Sequence, residues 1–259
     1  MINSDLINIL LPALVAGLIV LGTHIPLGKQ VLKRNIIFID LAIAQIAALG
    51  AIMAELHHNE WTSEHWHWLL PIAFALGGAL LISQLEKLVR HELEAFIGLL
   101  YVLAAVCGVL VLADSPHGDE LLQSMLAGQI LWTDWHDLLV PAIVSLALIS
   151  LWIWFPPQRN ATIFYLSFAV AITLSVQLVG VYLVFTSLIV PAVATSALTK
   201  YRTATAVIIG VLGYFLGLLI SLLLDLPSGA AIVATLISVG LCCKVVIALY
   251  CDTATAPKN

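Results

Sequence analysis

Few side chains in this 259-residue sequence can do chemistry, and their types point to cation coordination. The stretch His57-His58-Asn59-Glu60-Trp61-Thr62-Ser63-Glu64-His65-Trp66-His67 holds four histidines and two glutamates within eleven residues. Imidazole and carboxylate suit zinc and related divalent ions, so His57, His58, His65 and His67 are candidate ligands; no fixed ligand spacing separates them from a solvated polar loop. Asp40 lies inside an apolar run, four residues after Ile36 and so about 6 Å deep at 1.5 Å per residue. An unpaired charge in hydrocarbon is costly, which makes Asp40 a functional candidate; the competing reading is an ion pair with Lys33 or Arg34. Gln45 lies nearer the midplane, on a face about 140° from Asp40, as a path residue or as interhelical hydrogen-bond glue. Asp225, in Asp225-Leu226-Pro227-Ser228-Gly229, is a third candidate, with an ordinary turn aspartate as the alternative.

Absent motifs narrow the chemistry. Gly22 to Gly28-Lys29-Gln30 only superficially suggests a phosphate loop, because its glycines are six apart and Gln30 stands where Ser or Thr is needed. There is no HExxH and no GxSxG, so neither a metalloprotease nor a serine hydrolase has candidate residues, and no enzymatic activity is expected. Cys107, Cys242, Cys243 and Cys251 show no pairing logic and read as small apolar residues.

The elements that must position these groups follow from composition. The chain is 62% hydrophobic and 10% charged, with a mean hydropathy of +1.09. A soluble domain carries roughly 25% charged residues, so a water-soluble enzyme, a nucleic-acid binder and a disordered chain are all excluded. Charge-free apolar runs lie at 6–27, 68–85, 95–113, 138–155, 204–224 and 230–250, and 36–56 qualifies despite Asp40 and Gln45. The stretch 161–198 is about twice the length of one crossing, with Gly180 at its middle, and is split there into two helices. The expectation is an all-α polytopic membrane protein of about nine transmembrane helices, forming one domain over residues 1–259. Residues 1–5 lack a basic leader region, so the first run is read as a retained span.

Cytoplasmic loops are enriched in Lys and Arg, which orients the chain with its N-terminus outside and its C-terminus cytoplasmic. All ten bases then lie inside with four acids, ten acids and no base lie outside, and Asp40 remains within a span. Trp61, Trp66, Trp68, Trp132 and Trp135 fall near the outer boundary, and Trp152 and Trp154 near the inner one, as interfacial anchors. The apolar segment from Leu121 to Trp132 is too short to cross and is expected to be re-entrant or interfacial. The Ala-rich run around Ala42, Ala44, Ala47, Ala48, Gly50, Ala51 and Ala54 predicts a helix buried within the bundle.

Four stretches in order resemble the permease subunit of the zinc/manganese-type metal-ion ABC importer family. They are Pro26-Leu27-Gly28 with Val31-Leu32-Lys33-Arg34 and Phe38; Leu126-Ala127-Gly128-Gln129-Ile130-Leu131; Val179-Gly180-Val181-Tyr182-Leu183-Val184-Phe185 through Leu188-Ile189-Val190-Pro191-Ala192-Val193-Ala194-Thr195; and Gly217-Leu218 and Ser221 leading to Asp225-Leu226-Pro227-Ser228-Gly229. The resemblance implies a homodimer in the bacterial cytoplasmic membrane with a path between the copies. It also implies cytoplasmic ATPase subunits, an extracytoplasmic metal-binding protein, a transported divalent ion rather than a resident cofactor, and no nucleic acid. It places the ATPase-coupling segment at about Ala194 to Thr203, following Pro191 and including Thr195, Thr199, Lys200, Tyr201 and Arg202. Many members carry Gly-Asp-Ala-Leu-Ser-His in the second span; here the stretch is Asp40-Leu41-Ala42-Ile43-Ala44-Gln45, with Gln45 at the His position and the Asp offset by one. Gln offers a neutral oxygen that suits harder ions better than zinc. Zinc is nonetheless slightly preferred over manganese because of the outer histidines. The alternative is an ATP-independent secondary metal transporter, for which Asp40 is the one nominee as coupling residue.

Overall fold

A computed structural model describes residues 4–56, 66–113, 130–157 and 160–255, with positions 118, 123, 126 and 128 placed singly. Among these residues the chain is all-helical, with nine α-helices, one 3-10 turn at Ile130–Trp132 and no strand. The helices are α1 (Ser4–Arg34), α2 (Ile39–Leu56), α3 (Trp66–Leu88), α4 (Leu93–Leu112), α5 (Leu139–Trp154), α6 (Ala161–Val179), α7 (Val181–Ala194), α8 (Arg202–Leu224) and α9 (Ser228–Thr255).

Each expected span corresponds to a helix, with two refinements. Seven helices are long and apolar enough to cross a bilayer, whereas α5 and α7 have 16 and 14 residues. At 1.5 Å per residue these reach about 24 and 21 Å, short of a hydrocarbon core of about 30 Å. The second refinement is α1, which runs through Pro26 and Lys29 to Arg34 and takes in residues expected to form a loop. Its inward stripe continues past Pro26 with the buried Leu27 and Val31, so packing carries the helix beyond the first charge. Lys33 and Arg34 occupy its last turn, where cations complement the helix dipole.

Without a hydrophobic driving force inside lipid, helices associate by close packing, and the glycines mark where backbones approach. A Cβ at Gly50 would lie 2.8 Å from the Leu70 carbonyl oxygen and 3.0 Å from Phe74, so α2 rests directly on α3. On α2, Ala42, Ala44, Ala47, Ala48 and Ala54 are buried, as the alanine pattern predicts. The most enclosed of the candidate spans, α6, packs against α1, α2, α3, α5 and α7 around Phe164, Tyr165 and Phe168. Asn160 caps it, accepting from the amides of Thr162 and Ile163 at 3.0 and 3.3 Å.

The chain breaks between α6 and α7 at Gly180, whose φ of 83° and ψ of 162° belong to a region essentially reserved for glycine. Gly128, itself left-handed at φ 68°, lies against this break, and any Cβ there would collide with the Val179 carbonyl. Half of the segment expected to be re-entrant, Leu121 to Trp132, lies outside the described residues; its described end is the 3-10 turn, with Ile130 fully buried and the turn packed on α1.

Candidate functional site

The turn at residues 35–38 reverses the chain between α1 and α2, with Asn35 left-handed at φ 54° and the Ile36 amide donating to the Val31 carbonyl. Asp40 follows as the second residue of α2. It is 1% exposed, and neither carboxylate oxygen has a hydrogen-bond partner among the described residues. The ion pair with Lys33 or Arg34 does not form. Arg34 turns instead to Glu86 of α3 at 3.2 Å, places its guanidinium 4.6 Å from the centre of the Phe164 ring, and donates to the Pro157 carbonyl at 3.4 Å. The long Arg side chain is thus held by an acid and an aromatic face distant in sequence, which leaves Asp40 a buried acid with open acceptor positions. Gln45 is half-buried on the same helix.

Asp225 is placed differently. It is exposed and ends α8 in the left-handed conformation, φ 52° and ψ 46°, which Asp tolerates better than most residues. The turn is closed by Ser221, whose carbonyl accepts from the Asp225 and Leu226 amides and whose hydroxyl donates to the Leu226 carbonyl at 2.7 Å. Its position is that of a turn aspartate at the opposite end of α8 from the turn at residues 194–203.

The segment after α7 is a compact turn. Pro191 and Ala194 are buried in the last turn of α7, and Thr195 caps it, its buried hydroxyl donating to the Pro191 carbonyl at 2.7 Å. Thr199, Lys200 and Tyr201 are exposed in sequence; Tyr201 is left-handed at φ 60°, and the Lys200 ammonium sits 5.1 Å from the centre of its ring. Arg202 then opens α8. Two lysines brace this turn from outside it. Lys29 of α1 bonds the Thr203 hydroxyl, and Lys244 of α9 bonds the Ser196 hydroxyl at 2.7 Å and the Val193 carbonyl at 3.2 Å. The exposed turn is thus tied to α1, α7, α8 and α9.

One buried ionisable residue escaped the sequence reading. His24 is fully enclosed in α1, with Nδ1 3.2 Å from the Thr23 hydroxyl and no hydrogen-bond partner at Nε2 among the described residues. It was visible as the one histidine in the run 6–27, so Asp40 is not alone inside the spans. Elsewhere on α7 and α8, Ser187 and Tyr214 share a hydrogen bond at 2.9 Å, both fully buried. Of the outer-loop candidates, His57, His58 and His65 lie outside the described residues, as does the side chain of His67. Among the described residues no three His, Cys, Asp or Glu side chains gather to hold a metal ion.

A bundle with seven candidate spans, an acid buried without a partner among the described residues at one helix start, and a braced, exposed turn between two helices has the layout of a membrane transport subunit. The chain belongs to the ABC 3 transport family, which it matches over residues 6–164 and 155–247. It is 25% identical, over 88% of its length and 85% of the relative's, to a protein of Chlamydia muridarum (strain MoPn / Nigg) described as a metal transport system membrane protein. Its fold is similar to that in the structure of PsaBC from Streptococcus pneumoniae in complex with Fab, with a TM-score of 0.71, 20% identity and coverage of 93% of this chain and 91% of that one. It is also similar to an inward-facing structure described as a metal-chelate type ABC transporter, with a TM-score of 0.56, 15% identity and coverage of 92% and 77%.

Proposed function

We propose that this chain is the permease subunit of an ATP-driven importer for a divalent metal ion, and that two copies form the translocation path between them. Family membership supports the ATP-driven class over a secondary transporter. The observation that carries the cargo assignment is Asp40, a fully buried carboxylate with both oxygens unsatisfied among the described residues. Burying such a group is costly unless a cation engages it, and acids of this kind inside spans mark ion pathways. Gln45, five residues further along α2, adds a neutral oxygen and is a second path candidate. Asp225, exposed and left-handed at the far end of α8, is read as a turn aspartate and not as a path residue.

In this reading the turn from Ala194 to Thr203 meets a cytoplasmic ATPase subunit through the exposed Thr199, Lys200 and Tyr201. The bracing by Lys29 and Lys244 supports this, because it ties an otherwise free turn to the bundle. An extracytoplasmic binding protein delivers the ion to the opposite, acid-rich end, in the bacterial cytoplasmic membrane. Zinc is slightly preferred, on the outer histidines, with manganese and iron as the alternatives that the Gln45 oxygen favours.

The test is growth of cells whose own importers are deleted. The permease, supplied with its ATPase and binding protein, is expected to restore growth in scarce zinc, manganese or iron; restoration in none of the three overturns the proposal. Copurification adds a second arm, since a secondary transporter would be isolated without a cytoplasmic ATPase.

A further inference from the structure

The end of α1, the 35–38 turn, the end of α3 and the start of α4 enclose a polar cleft of about 590 Å3 that the transport reading does not use. Its acids are only partly engaged. Glu86 holds Arg34 at 3.2 Å, and one Glu94 carboxylate oxygen accepts the Phe38 amide at 3.0 Å, while Glu94 Oε2 is buried without a hydrogen-bond partner among the described residues. Two of its bases are free. Lys33 and Arg90 line the same cleft, are exposed, and have no ion-pair partner among the described residues; His91 lies beside them. The exposed Glu92 and half-buried Glu94 offset the free amides at the start of α4, so the positive potential comes from Lys33 and Arg90.

Retention of Lys and Arg at this end accounts for the charge but not for a cleft that collects it. The volume lies in the range of small-molecule sites. The cleft also borders apolar surface: Leu88, Phe96 and Leu99 beside it are 78%, 37% and 64% exposed, and the outer face of α4 continues this strip through Leu103 and Leu110. An occupant matched to both surfaces is anionic at one end and a hydrocarbon at the other.

We infer that the cleft holds the phosphodiester headgroup of an anionic membrane lipid, with Lys33 and Arg90 as its phosphate contacts and its acyl chains along α4. Basic pockets between helices at the cytoplasmic surface recognise such headgroups. The inference rests on the proposed position of this end at the membrane surface, and not on the identity of the cargo.

The test uses the permease–ATPase complex purified in detergent, stripped of lipid, and re-exposed to phosphatidylcholine alone or mixed with phosphatidylglycerol. Native mass spectrometry is expected to show phosphatidylglycerol retained by the wild type at least about tenfold more than by the Lys33→Gln/Arg90→Gln double variant. Both residues are exposed, so the double variant should fold. Lys87→Gln, which removes a nearby base outside the cleft, should retain the lipid as the wild type does. Equal retention by wild type and double variant overturns the inference. Displacement of phosphatidylglycerol by inorganic phosphate alone would identify a solute-phosphate site instead, and loss of the ATPase with lipid retention intact would identify a protein-docking surface; either result also overturns it. Lipid retention is read without transport, so failure here leaves the importer proposal standing, and failure of the growth test leaves the lipid site standing.

Discussion

At the scale of the residue, the decisive contrast is between Asp40 and Asp225, two acids nominated together and placed very differently. Asp225 is an exposed, left-handed helix terminator, so Asp225→Asn should leave metal uptake within about twofold of the wild type, because the turn conformation that Asp supplies is equally open to Asn. Asp40 is buried with no partner among the described residues. If it serves the path, Asp40→Asn should lower uptake by about tenfold or more while the protein stays at wild-type abundance. A path role and a structural role separate in thermal unfolding. Breaking a buried ion pair would cost about 3–5 kcal/mol, whereas neutralising an unsatisfied buried carboxylate should leave the melting temperature unchanged or raise it. A marked fall in melting temperature in Asp40→Asn would sink the path assignment.

At the scale of the element, the sequence made the break at Gly180 legible, because an apolar run of twice the crossing length with one central glycine has few other solutions. What it could not show is why glycine is needed: the conformation at φ 83° and ψ 162°, and the approach of Gly128 to the Val179 carbonyl from about fifty residues away. Gly180→Ala should therefore cost about 1–3 kcal/mol, measured as a lower unfolding temperature in detergent, and should displace α7 enough to impair uptake. Two other features were hidden for related reasons. Charge patterning ends a span at its first lysine, so it cut α1 short of Lys29 even though buried Leu27 and Val31 carry the helix on. Proximity along the chain suggested Arg34 for Asp40, whereas Arg34 is held by Glu86 and Phe164, contacts that only the tertiary fold creates. The bracing of the turn after α7 is likewise invisible locally. Lys244 reaches it across about fifty residues, and a hydrogen bond from a charged donor is worth about 1.5–3 kcal/mol. Lys244→Met should keep the fold and the ATPase partner while ATP hydrolysis by the complex ceases to track uptake. Unchanged coupling in that variant would show that the brace only decorates the turn.

At the scale of the whole molecule, the question is which way the bundle faces. The sequence reading sorted ten bases to one side by a rule about loops; the contacts bring the corresponding segments together independently of that rule. Arg34 of α1 meets Glu86 of α3 and the Pro157 carbonyl before α6, Lys29 meets Thr203 at the start of α8, and Lys244 of α9 meets the turn after α7. These connections share one end of the bundle. The exposed acids Asp134, Asp137 and Asp225 belong to connections that make none of these contacts. If the basic end is cytoplasmic, as Lys and Arg enrichment predicts, the acidic end lies on the outer side, where its field favours the entry of a cation. Chemical labelling decides the matter. In a chain whose four cysteines are replaced by alanine, a membrane-impermeant maleimide added to intact cells should modify Asp134→Cys and Asp225→Cys. It should reach Lys200→Cys only after the membrane is permeabilised. Labelling of Lys200→Cys from outside would reverse the bundle, and with it the direction of transport that the charge asymmetry supports.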